Sequence, residues 1–488
     1  MKGGSRVRMM LPHEAAWPSG NRSVIFAPGM VESPRRELGS WARQRLWAKA
    51  RVLFSNSPEV INLVECIKLV VGYLLPLPQS GDEEWNDLAR AAFMRRVERP
   101  ALFDVGGVFC WRSVQLWANE RKWVDGDCLV VRTKHPVDGG AAFAFYEAPQ
   151  VCGGGEGFEG GVRLGAFGRP EAYVVKGLDG AEVQVSAADA FLYRKQQRPG
   201  LVRGLSGLAP VLNTAQDLFE LRENNKAAAK LAASFAIIEK QAAQVAGQPF
   251  FHEARNPQLA EGDGGSSSSP PPPALKVNGV EALSLPAGRS LELLHDTRPS
   301  NEQQAFCKDL VRSFGFAAGL PPEVVFFLSE MGSASTRFST QRVGDWQKDQ
   351  LLPQRHLVQW MWEWVVACEV AAGRLRGCRA AGTECDVLWV PRSSWTIDKG
   401  RDGNMATNHV REGLVDANDY TVASSGKTVR EIARSRAKDL AEMKRIAEEH
   451  GLTLADLLPG MVGATTPGPG QVAEQKEKIL TEKGADDE

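Results

Sequence analysis

The sequence predicts an α+β fold, built as an elongated subunit in which helices dominate and strands gather in one stretch. Three observations predict it. Apolar residues recur at helical spacing from Glu32 to about Arg121, switch at Asp125 to short β-rich runs, and regain a helical period from Leu208. The stretch from Leu208 toward Gln244 reads as one helix of about 35 residues, on the order of 50 Å. A rod of that length points to packing against neighbouring copies.

Composition sets the bounds. Of 488 residues, 43% are hydrophobic and 24% charged, globular values that allow a sizeable core. Lys+Arg (58) and Asp+Glu (59) nearly cancel. A protein gripping duplex DNA through its phosphates shows a basic excess or stripe, so neutrality argues against tight DNA binding and suits a surface past which DNA slides. The eight cysteines form no CxxC pair and read as reduced thiols. The first residues lack the apolar core of a signal peptide, and no run reaches the roughly 20 apolar residues of a membrane span, so neither secretion nor membrane insertion is expected.

Element by element, Trp41, Leu46, Trp47, Val52 and Leu53 mark a first helix, and Pro58 opens a second through Val71. Asp82-Glu83-Glu84 starts a third, with Trp85, Leu88, Ala92 and Phe93 on one face, and a fourth covers Trp111 to Arg121. CLVVRT, AFAFYEA, VRLGAF, AYVVKG and EVQVSA are strand-like, which places a small β-domain at 125–195. The run EGDGGSSSSPPPP (261–273) is a linker by composition, and ALKVNGVEALSL after it reads as β. Ser300 and Gln303 form a capping box for a helix that Gly319, Pro321 and Pro322 end. An irregular stretch, 322–335, precedes a long helix from Thr336 to Gly373 that carries four tryptophans and Pro353, a predicted kink. A polar helix over 427–450 and a disordered tail close the chain.

No catalytic constellation emerges. GGGEGFEGG (153–161) lacks the Lys and Ser/Thr of a phosphate loop and reads as a turn. GLSGL lacks the second glycine of a nucleophile elbow, since Leu208 stands there, so Ser206 reads as a helix cap. His252-Glu253 has Asn256 where a zincin needs its second histidine. Trp346, Trp360, Trp362 and Trp364 sit among Leu351, Leu357, Met361 and Val365 and read as core or subunit interface, not as a base-stacking platform. No cofactor and no metal site is expected.

Several segments, in order, resemble the lambda-type family of phage portal proteins: RQRLWAKARVLFSNSPEVINLVECIKLVVG, EEWNDLARAAFMRR, Asp104 with Phe109, DGDCLVVR, and GAFGRPEAYVV with Gly165 where the family commonly has an acid. The most specific is RPGLVRGLSGLAPVLNTAQDLFELRENNKAAAKLAASFAIIE (198–239). GLPPEVVFFLSEMGSASTRFSTQR is similar to the family's Ser-Ser-x-Arg region, with Ala334 for the first serine, and IDKGRDGNMATNHVREGLVDANDY to its C-terminal element.

The resemblance implies a non-enzymatic ring of about twelve subunits at one capsid vertex. It divides the chain into an N-terminal arm (1–31), a wing with helical (32–124) and β-rich (125–200) parts, stem helices (201–245 and 299–320) and a clip (246–298). A tunnel loop (321–336), a kinked wing helix (337–376), a C-terminal wing or crown region (377–460) and a tail (461–488) complete it. Implied partners are other copies of the chain, major capsid and scaffold proteins, the terminase large subunit, a head–tail adaptor, and double-stranded DNA passing without sequence preference. The ring would be assembled in the bacterial cytoplasm and retained in the virion. On this reading Phe326, Phe327, Leu328, Ser329, Met331, Ser333 and Arg337 face the DNA channel, and Phe250, His252, Glu253, Arg255 and Lys276 form the docking clip. Two rival readings are another ring-forming structural protein, such as a head–tail adaptor, and a hydrolase using Ser206 or a scattered carboxylate pair.

Overall fold

The structure, a computed structural model, describes residues 39–177, 180–195, 200–244, 275–277, 280–282, 301–380, 382–392 and 399–450. The chain divides into two compact units, Met1–Ile397 and Asp398–Glu488.

In the first unit, α1 (Ser40–Asn56) and α2 (Pro58–Val71) meet at Ser57, whose hydroxyl accepts from the Val60 amide just after Pro58 opens the helix. The apolar side of α2, Val60, Leu63, Val64, Ile67, Val70 and Val71, is buried. Strand β1 (Tyr73–Pro78) follows and pairs antiparallel with β11 (Val387–Arg392), more than three hundred residues later in the chain. Asp82 caps α3 (Glu83–Val97), its carboxylate accepting from the Trp85 amide at 3.0 Å. The one-turn α4 (Pro100–Phe103) and α5 (Trp111–Val124) follow.

The β-rich region forms two antiparallel sheets. One has the order β3 (Ala141–Glu147), β2 (Asp127–Lys134), β8 (Ala190–Arg194). The other is a meander of β4 (Phe158–Glu159), β5 (Val162–Leu164), β6 (Pro170–Lys176) and β7 (Glu182–Ser186). Leu129 and Val131, two residues apart, share a face with Tyr173, Val175, Val151 and Val162 in one apolar core. Cys128 and Val130 are buried on the opposite face too, so β2 reads as an unbroken apolar run. The glycine-rich stretch before β4 is the turn the sequence predicts, with Gly153, Gly154, Gly155 and Gly157 at positive φ.

Two long helices carry the rest. α6 (Leu212–Gln244) runs 33 residues after a 3₁₀ turn at Ala209–Val211. A two-stranded ribbon, β9 (Leu275–Val277) with β10 (Val280–Ala282), matches the predicted β stretch, and α7 (Asn301–Ala318) follows. Gly319 (φ 80°) ends α7 in a Schellman turn, with Leu320 N–H on the Gly315 carbonyl and Gly319 N–H on Phe316, both at 3.0 Å. Residues 322–335, predicted irregular, are instead helical for most of their length: α8 (Pro322–Phe326), a 3₁₀ turn (Leu328–Glu330), then α9 (Ser333–Ala371), which begins before Thr336. The helix assignment continues through Pro353. The tryptophans of α9 pack inward. Trp362 packs at a tilt against Phe93 (4.8 Å) and edge-on against Trp389 (6.3 Å), and Trp360 lies between Phe143 and Phe191.

The second unit holds α10 (Lys399–Arg411), α11 (Ala417–Ser425) and α12 (Val429–His450). The single predicted C-terminal helix is therefore only the last of three. Asp416 caps α11, Gly426 (φ 78°) ends it, and Thr428 with Glu431 forms a capping box for α12.

Candidate functional site

The long helices need fixed starting points, and the start of α6 is fixed by one buried arginine. Arg203, with its side chain 1% exposed, spends all five N–H donors. Nε and Nη2 grip the Asp127 carboxylate at 2.7 and 2.6 Å, and the remaining donors reach the carbonyls of Ala148 (2.8 Å), Val151 (2.7 Å) and Gly160 (2.7 Å). The Gly204 amide adds a bond to Asp127 at 2.7 Å. Gly126 and Gly204 let the two backbones approach: a Cβ on Gly204 would sit 2.0 Å from the Gly126 carbonyl oxygen. Burial and the neighbouring Arg203 cation push Arg43 down to about 10.

Ser206 is buried beside this knot. Its hydroxyl donates to the Trp123 carbonyl (3.0 Å) and accepts from the Leu208 amide (3.2 Å). The N-cap of the 3₁₀ helix that follows is Leu208, so Ser206 braces the turn before it and is not the helix cap its sequence context predicts. A hydroxyl committed to a carbonyl has no proton for a base to take, which removes the motivation for a Ser206 nucleophile. Among the described residues no cluster of His, Cys, Asp or Glu could hold a metal ion, and no helix is long and apolar enough to cross a membrane.

The segment between α7 and α9 is held closely against α7. Phe326 meets Phe314 edge-on at 6.3 Å, and Phe327 lies 5.3 Å beneath the Arg312 guanidinium. Glu330 accepts from Lys308 at 3.0 Å and from Arg312 at 3.1 Å. The Lys308 bond and the two nearby cations hold the Glu330 carboxyl below its ordinary range. Asn62 on α2 donates to the Val325 carbonyl at 2.9 Å, and Trp346 Nε1 to the Ala318 carbonyl at 2.9 Å, so the C-terminal end of α8 and the end of α7 are pinned.

The residues expected at the channel thus separate. Phe326 and Phe327 are half-buried packing groups, whereas Leu328 (65% exposed) and Ser329 lie in the open. Met331 is half-buried, Arg337 is exposed, and Ser333 opens α9. Of the expected docking residues, Phe250, His252, Glu253 and Arg255 lie outside the described residues. Lys276 falls in β9, opposite Glu281 in the register.

Sequence reasoning missed the lock formed by Lys308, Arg312 and Glu330. The i,i+4 spacing of the two cations was a signal for one face of α7, but nothing local announces that Glu330, beyond the helix end, returns to them.

A second buried polar site lies where α9 crosses α5. Gln354 donates to Gln115 (2.7 Å) and Gly72 (3.3 Å) and accepts from Asn119 (3.0 Å), whose carbonyl oxygen accepts from Tyr193 (2.6 Å). Next to it, Lys122 reaches Gln350 at 3.3 Å and lies over the Tyr193 ring. Burial, then repulsion from Lys195, pushes Lys122 down to about 7.

The comparisons with known proteins bear on this arrangement. No curated protein matches the sequence. Among solved structures, the chain is similar to one in the virion of a native gene transfer agent particle, with 12% identity, 77% of this chain and 91% of that chain covered, and a TM-score of 0.40. It is also similar to one in the neck of the native particle computed with C12 symmetry, with 11% identity, coverage of 79% and 94%, and a TM-score of 0.39. The family model for phage portal protein, lambda family, matches residues 28–349, a span that contains the Arg203 knot, α6, α7 and the segment joining α7 to α9. This chain belongs to the lambda family of phage portal proteins.

Proposed function

We propose that the chain is one subunit of a ring of about twelve copies, set at one capsid vertex, through which double-stranded DNA is packaged and ejected. The family match over residues 28–349 carries this reading. Within it, α6 and α7 are stem helices flanking the channel, residues 246–298 are the clip that receives the terminase and later a head–tail adaptor, and residues 321–336 are the tunnel loop. The β-rich region belongs to the wing. Assembly with capsid and scaffold proteins takes place in the bacterial cytoplasm.

The ring's role is passive on this reading: it supplies a pore and docking surfaces while a separate ATPase drives the DNA. Two features support it. The net charge is −1, so the chain offers no broad phosphate sink. In the proposed tunnel loop, Glu330 also occupies the two nearby cations, Lys308 and Arg312, leaving Leu328 and Ser329 as the exposed apolar and small groups. DNA passing such a surface meets no deep electrostatic well.

Lysine substitutions at the exposed positions test the loop. Leu328→Lys with Ser329→Lys should slow packaging in a motor-driven assay, with the slowing relieved by added salt. Phe327→Lys is the poorer test, because Phe327 packs under Arg312 and its loss disturbs the fold. Wild-type packaging rates for the double lysine variant at low salt would remove residues 321–336 from the channel.

A further inference from the structure

A cleft of about 310 Å³ opens between β6, β8 and the part of α9 around Pro353. Three nitrogen-bearing side chains from different segments line it: Arg169 just before β6, Arg194 at the end of β8, and His356 on α9. Among the described residues no carboxylate lines it. The acids close by are already paired. Glu171 holds Arg163 at 3.5 Å, Asp189 holds Arg132 at 3.0 Å, and Asp127 is gripped by Arg203.

The two arginines are left with unused donors. Arg169 is exposed, and its guanidinium makes no ion pair or hydrogen bond among the described residues. Arg194 is half-buried, and burial holds its guanidinium below its ordinary value. Among the described residues that guanidinium makes one hydrogen bond, from Nη1 to the Leu201 carbonyl, and no ion pair. A charge drawn out of water with most of its donors unspent is costly until an anion meets it.

We infer that this cleft binds a small phosphate monoester, with Arg169 and Arg194 on the phosphate oxygens and the organic part against Tyr173, Phe191 and Leu192. Charge selects phosphate. Two guanidinium groups match the charge of about −1.5 to −2 on a phosphate monoester near pH 7, whereas one carboxylate leaves a cation uncompensated. Three free oxygens also accept from donors that arrive from several sides, and the His356 imidazole supplies a further N–H. Shape selects a small ligand. Duplex DNA calls for cations strung along a face, and here they converge on one hollow with apolar walls, at the small end of ligand cavities. The cleft lies within one copy of the chain, so the site does not depend on ring closure.

The test is isothermal titration calorimetry of the full-length protein with phenyl phosphate at low salt, beside inorganic phosphate, phenylacetate and a short DNA duplex. Phenyl phosphate should bind more tightly than inorganic phosphate or phenylacetate, and the duplex should not displace it. Arg169→Ala should weaken that binding about tenfold or more, the loss of a charge-assisted bond, and leave the melting temperature of the ligand-free protein unchanged. Arg194→Gln should weaken it at least as much; should that variant fail to fold, Arg169→Ala still decides. Absence of binding by phenyl phosphate at millimolar concentration, equal binding by the wild type and Arg169→Ala, or phenylacetate binding as tightly overturns the site. A duplex that displaces phenyl phosphate and loses its own binding in Arg169→Ala makes the cleft a contact for the DNA backbone and overturns the small ligand.

Discussion

At the scale of single residues, several charges in this protein are already occupied by partners. Glu330 holds Lys308 and Arg312 together beside the exposed Leu328. Glu330→Gln removes the anion and releases two cations per subunit. If the segment faces DNA, packaging should slow in the variant at low salt and recover as ionic strength rises, because released cations bind phosphate in a salt-dependent way. A rate unaffected by the substitution at every salt concentration would place the lock away from DNA. Arg203 is the opposite case, a charge buried for good. Lysine cannot reproduce its five donors, so Arg203→Lys should cost about 3–5 kcal/mol, the range for breaking a buried pair, and lower the melting temperature. Lys122 makes stability depend on pH. Its folded value, about 7, lies below the ordinary 10.5. The unfolded chain therefore binds the extra proton between those values, and stability should rise as pH goes from 7 toward 10.5. Lys122→Met should flatten that rise in denaturant titrations across the window. Of these residues, Arg203 lies in 198–239, the segment most specific to the family resemblance. The partners of the other two come from segments too distant for any local pattern to join.

At the scale of elements, the sequence was most legible where periodicity was long and punctuation clear. α2, α3, α6 and α7 fall where apolar spacing, Pro58, Asp82 and Gly319 set them. The strands of the β-rich region follow from β-branched runs between glycines. Among the elements that escaped, three show why. β1 carries Pro76 and Pro78, which lack the N–H of an ordinary strand, and among the described residues it pairs only with β11, more than three hundred residues away in the chain. α8 is a single turn started by Pro322, too short for a period to show. α10 has a glycine-rich, polar sequence with no apolar stripe to announce it. In α9 the helix carries Pro353 between the buried Gln350 and Gln354, with Gln354 bonding to Gln115, Asn119 and Gly72. Gln354→Leu keeps the size but strips partners from buried amides. It should destabilise by about 1–3 kcal/mol per group left unsatisfied, seen as a shift in the urea midpoint. A neutral Gln354→Leu would mean that water replaces the lost bonds.

At the scale of the whole molecule, low net charge, two long helices and an inward-packed set of tryptophans suit a subunit that is completed by its neighbours. The family relation was legible in the order of short motifs, each weak alone, and above all in residues 198–239, where the Arg203 knot and the start of α6 lie. The detail of residues 326–328, which we propose to face the channel, was less legible, because a run of apolar letters does not say which side chains pack: Phe326 and Phe327 do, while Leu328 does not. The central claim, that copies of this chain close into a ring, is tested most directly by light scattering with negative-stain microscopy of the purified protein. Twelve copies of 53.2 kDa give a particle of about 640 kDa with a central hole. A chain that stays at the mass of one copy, even with capsid and scaffold proteins present, would contradict it.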